Sequence, residues 1–259
     1  MPIAAQKASR DPFLLSAANV ELGGEPVLAD VELRVPTGQS VALLGANGSG
    51  KSTLLRVMLG LQPLTTGSAK IFGTPVQKYR DWKRIGYVPQ HLLASSAVPV
   101  SVTEVVSASL ARQGFWSRRA DRRAIAGSLE AVGLWERRKD SFHDLSGGQQ
   151  RRAMIAAALA KEPDVLLLDE PMAGLDKENV TGLASIVSNY RQQNRTVIVV
   201  AHELGTLEPL MDRCIIMGSG RGPSIRYDGP VKGAETFQDR HSHHEPRQSS
   251  RDEFWGLPS

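Results

Sequence analysis

Residues 40–52 decide the fold: Ser40-Val41-Ala42-Leu43-Leu44-Gly45-Ala46-Asn47-Gly48-Ser49-Gly50-Lys51-Ser52. Ser40–Leu44 is a continuous apolar run, the pattern of a strand covered on both faces. The eight residues from Gly45 fit G-x-x-x-x-G-K-[ST] in full. A helical stretch, Lys51–Leu61, follows. Glycines let the backbone curl so that successive N–H groups point at phosphate oxygens. The positive N-terminal end of the next helix adds to the attraction. Lys51 is spaced to reach the β- and γ-phosphates, and the Ser52 hydroxyl to ligate Mg²⁺. Gly45, Ala46, Asn47, Gly48, Ser49, Gly50, Lys51, Ser52 and Thr53 are therefore candidate nucleotide contacts.

On its own this loop indicates a P-loop NTPase. Working outward, Val165–Leu168 and Thr196–Ala201 are two more buried-strand runs, separated by a helix-like stretch, Lys177–Gln193. Such alternation predicts a parallel, doubly wound sheet. Upstream, Leu14–Leu33 is apolar in short runs and broken by Gly23-Gly24-Glu25-Pro26, which predicts a hairpin. Residues 91–150 offer no strand. Ser101-Val102-Thr103-Glu104 is a capping-box pattern opening a helix that Gly114 would close, and Asp121–Val132 is a second helix ended by Gly133. A short strand is expected near Ser224–Tyr227. The expected fold is α/β: a RecA-like P-loop core with an antiparallel β subdomain and an α-helical insertion subdomain. Residues 1–13 read as a flexible lead, 14–235 as one domain with its helical part at about 91–150, and 236–259 as a disordered polar tail.

The 259 residues are 41% hydrophobic and 22% charged, so a sizeable core is possible and whole-chain disorder is excluded. No run approaches the ~18 apolar residues of a membrane span. The N-terminus lacks a basic segment followed by an apolar one, so no signal peptide is expected. One cysteine, Cys214, excludes an intramolecular disulfide and reads as a small core residue. The net charge of +4 is too weak to argue for nucleic acid. A cytoplasmic protein is the expectation.

Two further motifs carry chemistry. Leu145-Ser146-Gly147-Gly148-Gln149 precedes an alanine-rich helical run, Gln150–Lys161, and offers a serine hydroxyl and glycine N–H groups at a helix N-terminus. Val165-Leu166-Leu167-Leu168-Asp169-Glu170-Pro171 ends a strand in two carboxylates at the sheet's carboxyl edge. Asp169 suits Mg²⁺ through water. Glu170 suits a general base that polarises the attacking water.

With these motifs the chain resembles the ATP-binding cassette (ABC) ATPases over roughly residues 14–230, and LSGGQ is that family's signature. The resemblance implies further roles. Gln90, in Tyr87-Val88-Pro89-Gln90, matches the glutamine loop, a further Mg²⁺ contact. Asp176, in Ala173-Gly174-Leu175-Asp176, matches the loop that crosses to the partner subunit, and His202 matches the switch histidine on the γ-phosphate. It implies a head-to-tail homodimer, each ATP lying between one phosphate loop and the Ser146–Gln149 of the other copy. It also implies a transmembrane permease, a position on the cytoplasmic face of the membrane, and an extracytoplasmic solute-binding protein.

Arg84–Gln90, Val100–Val106 and Asp169–Asp176 look like the ATPases of bacterial zinc and manganese importers. His241-Ser242-His243-His244 is either a regulatory metal contact or part of a solvated linker. Another cargo, including export, is the alternative; a soluble ABC ATPase on nucleic acid or ribosomes ranks lower, because the chain has one cassette and no sustained heptads. Three positions depart from the family pattern. Leu22 stands where an aromatic residue usually stacks on adenine, Ala157 where an arginine is common, and Arg151 where a glutamine is common. The changes at 151 and 157 are expected to be tolerated. Arg118, Arg119, Arg122 and Arg123 read as a solvated helix face, or as a contact for anionic lipid. Trp82, Trp116 and Trp135 read as packing residues.

Overall fold

The computed structural model describes residues 11–90, 100–110, 118–172, 177–218 and 224–234. Gly114, Trp116, Asp176 and the histidines of the tail lie outside them. The strands are β1 (Phe13–Leu22), β2 (Glu25–Val35), β3 (Ser40–Gly45), β4 (Thr66–Ile71), β5 (Thr74–Pro75), β6 (Ile85–Val88), β7 (Val165–Asp169), β8 (Thr196–Val200), β9 (Arg213–Met217) and β10 (Ile225–Gly229). The helices are α1 (Lys51–Met58), α2 (Val102–Ala108), α3 (Arg118–Ala131), α4 (Gly147–Leu159) and α5 (Lys177–Gln192).

Among these residues two sheets form. One has the order β2-β1-β4-β5 and is antiparallel, with the expected hairpin pairing Leu22 to Glu25. The other has the order β10-β9-β3-β8-β7-β6. Its strands from β9 to β6 run parallel, and only β10 is antiparallel. Parallel strands end on one side, so the carboxyl ends of β3, β6, β7 and β8 share an edge.

Period-two alternation divides the apolar strands between two cores. Val41, Leu43, Val165, Leu167, Ile198 and Val200 face β1, β2 and α1. Ala42, Leu44, Leu166, Leu168, Val197 and Val199 face a second cluster with Val102, Leu129, Ile155 and Val187 of the helices. Both faces are covered, which is why these strands are apolar throughout. Each fully buried Val or Leu contributes about 1.5–3 kcal/mol relative to exposure. Cys214 is buried among them, and burial pushes its thiol up to about 11.

Local chemistry sets the helix ends. α1 stops at Met58, short of the expected Leu61, in a Schellman motif: Leu61 N–H donates to Arg56 O and Gly60 N–H to Val57 O, with Gly60 at φ +68°. Gly133, at φ +65°, ends α3 in the same way. The Ser101 hydroxyl accepts from Glu104 N–H at 3.2 Å while Glu104 accepts from Ser101 N–H at 2.7 Å, the expected capping box of α2. α4 starts at Gly147 rather than Gln150 because Ser146 and Gln149 form a second capping box.

Of the two described tryptophans, Trp135 carries the Arg138 guanidinium at 4.2 Å, and Trp82 meets Tyr79 edge-on yet stays 37% exposed.

Candidate active site

The carboxyl edge of the parallel sheet gathers the predicted residues. Asn47 to Thr53 after β3, Gln90 after β6, Asp169 and Glu170 at the end of β7 and His202 after β8 line one cleft of about 190 Å³. Val27 of β2 lines it too, a contact the sequence pattern did not single out. Gly45 and Ala46 stand beside it, their carbonyls accepting from the Lys51 ammonium at 2.6 and 3.0 Å.

The loop's glycines fit a phosphate cradle. Gly48 has φ +77° and nothing within 4 Å of where a Cβ would stand, so the backbone there is open to a ligand. Gly50 has φ +88°, and a Cβ would come within 2.8 Å of Val27 O. It opens α1 with no side-chain cap, leaving the first N–H groups of the helix to the cleft.

The charged groups constrain one another. Burial lowers the pKa of Lys51, and the nearby Glu170 and Asp169 charges oppose that shift. Burial raises Asp169, against the pull of Arg151, the Tyr87 hydroxyl at 3.5 Å, the Gln90 N–H and Lys51. Glu170 Oε1 lies 3.5 Å from His202 Nε2. Glu170 also has φ +49°, a left-handed backbone that costs a non-glycine residue about 1–3 kcal/mol. Its N–H donates to Val200 O at 2.8 Å.

Arg151 also bears on the site. It is 5% exposed, and its guanidinium donates to four main-chain carbonyls beside the cleft. Nη1 donates to Pro89 O at 2.6 Å and Gln90 O at 2.8 Å, and Nη2 to Asp169 O and to Glu170 O at 2.6 Å. The fold accommodates the arginine, as expected, and gives it more partners than the sequence reading foresaw. Only the pairing of α4 with these two loops reveals them. Ala157 is packed in the core, where an arginine's bulk and charge are not called for.

Other predicted residues stand elsewhere. Ser146, Gly147, Gly148 and Gln149 form the first turn of α4 and line no part of the cleft. There Gln149 Oε1 accepts from Ser146 N–H at 2.9 Å and from Arg137 Nη1 at 2.6 Å. Leu22 is half-exposed at the end of β1 and is also absent from the lining.

The donors fit ATP with Mg²⁺. No three His, Cys, Asp or Glu side chains cluster as a metal site among the described residues. Mg²⁺ needs fewer: one or two carboxylates, other oxygens, water and the substrate's phosphates. Ser52, Gln90 and Asp169 offer hard oxygen donors of that kind in the cleft.

Comparison with known proteins agrees. The ABC transporter family model matches residues 28–173. The zinc transport system ATP-binding protein TroB of Treponema pallidum is 35% identical over 196 residues, which cover 74% of this chain and 73% of that one. The manganese transport system ATP-binding protein MntB of Bacillus subtilis is 35% identical over 210 residues, 80% of this chain and 83% of its own. The structure of a dimeric bacterial ABC transporter cassette superposes with a TM-score of 0.73 at 25% identity, covering 85% of this chain and 98% of that one. No helix among the described residues is long and apolar enough to cross a membrane. A phosphate loop, two strand-end carboxylates and a histidine on one sheet edge thus coincide with these matches: the chain belongs to the ABC transporter family, as an ATP-binding, ATP-hydrolysing cassette.

Proposed function

We propose that the chain energises uptake of a divalent metal ion, zinc or manganese, as the ATPase subunit of an importer. It works as a head-to-tail homodimer on the cytoplasmic face of the membrane, docked on a permease that receives its cargo from an extracytoplasmic binding protein. The observation that carries the catalytic part is the convergence of Lys51, Asp169, Glu170 and His202 on one cleft. The relatives' zinc and manganese systems support the cargo.

In this reading the loop N–H groups and the Lys51 ammonium hold the β- and γ-phosphates. Ser52, Gln90 and Asp169 would hold Mg²⁺, which when bound neutralises phosphate charge. Glu170 accepts the proton of the water that attacks the γ-phosphorus. His202, 3.5 Å from that carboxylate, orients it and meets the γ-phosphate. Ser146–Gln149 lie outside the cleft of their own chain, which supports their serving the second copy. The Asp176 loop would cross between the two copies. Hydrolysis then requires closure of the dimer, and closure moves the permease.

Cargo is testable in the cell. Deleting the gene in a strain with no redundant importer should lower cellular zinc or manganese under scarcity of that metal. Loss of residues 236–259 should leave ATP hydrolysis largely intact. Unchanged content of both metals would rule out metal uptake and point to another cargo.

Base recognition has its own test. With Leu22 at the adenine position, the base is held by aliphatic packing alone. Aromatic pairs contribute roughly 0.5–1.5 kcal/mol beyond area burial, about a two- to twelvefold change in Kd. Leu22→Tyr should tighten ATP binding by that factor in an equilibrium titration. No tightening, with the fold intact, would mean that Leu22 does not face adenine.

A further inference from the structure

We propose that Arg151 is a positioning residue for hydrolysis: from α4 it locks the backbones of the Gln90 loop and of Glu170, and so sets where the Glu170 carboxylate stands. The proposal rests on the reading of Glu170 as the base.

The ladder between β6 and β7 ends at the pair Val88 and Leu168. Beyond that pair the Arg151 guanidinium continues the bridge. Nη1 serves the β6 side through Pro89 and Gln90, and Nη2 the β7 side through Asp169 and Glu170. A guanidinium is planar and rigid, so its two nitrogens fix the spacing of the two loops as a flexible ammonium cannot. Glu170 is then held at both of its peptide groups. Its N–H goes to Val200 O, its C=O to Arg151, and between them lies the left-handed φ of +49°. With both ends pinned, the Cβ direction is set and the carboxylate is delivered to the cleft beside His202. Arg151 itself is absent from the cleft lining, and its contacts are main-chain oxygens rather than carboxylates. It therefore acts on geometry. Arg151 sits on the helix that Ser146–Gln149 open, so that helix is tied through it to both loops.

The test uses the full chain with ATP and Mg²⁺, in the wild-type and Glu170→Gln backgrounds. Arg151→Met should lower kcat by on the order of 10- to 100-fold, the cost of a misplaced catalytic group, with KM for ATP within about twofold. In the Glu170→Gln background the same change should cost far less, because the carboxylate it positions no longer accepts a proton and only the part that runs through the Gln90 loop remains. Arg151→Lys keeps the buried charge and loses the fork; it should show the same split between kcat and KM. It also decides the matter if the methionine variant does not fold. Equal losses in both backgrounds, a loss confined to KM, or wild-type rates would overturn the positioning role while leaving Glu170 as the base. Wild-type turnover in Glu170→Gln alone would instead remove the base assignment, and with it the route through which Arg151 acts.

Discussion

Glu170→Gln is expected to lower kcat for ATP hydrolysis by at least about a hundredfold, since a positioned general base contributes roughly 10²–10⁴. The amide has the carboxylate's shape and cannot take the water's proton. The surrounding structure should tolerate the change. Glu170 N–H stays on Val200 O and its C=O on Arg151, contacts of the main chain that the side chain does not alter. The His202 contact at 3.5 Å becomes one to an uncharged amide. ATP binding should survive, because Lys51, the loop N–H groups and Asp169 are untouched. Bound but uncleaved ATP should then hold two copies together, seen as a dimer by size-exclusion chromatography with ATP and not without it. Single-turnover assays on both proteins check the rate. Turnover at the wild-type rate would show that another group, or water alone, receives the proton.

What was legible in the sequence follows from where the information is local. The phosphate loop is a contiguous pattern whose glycines are dictated by its own backbone, so Gly45 to Ser52 could be read directly. β3, β7 and β8 are buried on both faces, and their unbroken apolar runs announce it. The capping box at Ser101 is likewise local; the one at Ser146 is local too, but the sequence reading takes Ser146–Gln149 as a phosphate-binding turn and begins the helix at Gln150. β4 to β6 were harder. Thr66–Ile71 reads TGSAKI, in which only Ala69 and Ile71 are buried, so the strand exists through pairing with β1 rather than through its own composition. Ile85–Val88 contains Gly86, which weakens a strand signal. The glycine is there because a Cβ would come within 2.8 Å of Pro163. The role of Arg151 was invisible for a related reason. Its acceptors belong to residues some 20 and 60 positions away, and a backbone carbonyl has no sequence signature. Family likeness marked the position only as a departure from a common glutamine and gave no hint of these acceptors. Val27 came from the neighbouring sheet, where alternation marks a strand position and says nothing of the cleft.

Lys51→Ala should strike binding where Glu170→Gln strikes chemistry. Lys51 is 7% exposed, and its ammonium rests on Gly45 O and Ala46 O. Two carboxylates, Glu170 and Asp169, act on it electrostatically and favour its charged form against burial. In the proposed nucleotide complex the ammonium would turn to the phosphates as the side-chain cation of the loop. Hydrogen bonds to charged groups are worth about 1.5–3 kcal/mol, so losing this one should weaken ATP binding by about 10- to 150-fold. The upper end is expected, because the lysine is one of the charges that offset repulsion between the cleft's carboxylates and the polyphosphate. Affinity should fall more for ATP than for AMP, whose single phosphate would not extend to the lysine. Turnover at saturating ATP falls as well, so the diagnostic quantity is the equilibrium Kd for each nucleotide, measured by calorimetry beside the thermal midpoint of each protein. A matched weakening for ATP and AMP would mean that the loop had collapsed rather than lost a contact. Unchanged ATP affinity with an intact fold would show that the N–H groups of the loop hold the phosphates without the lysine.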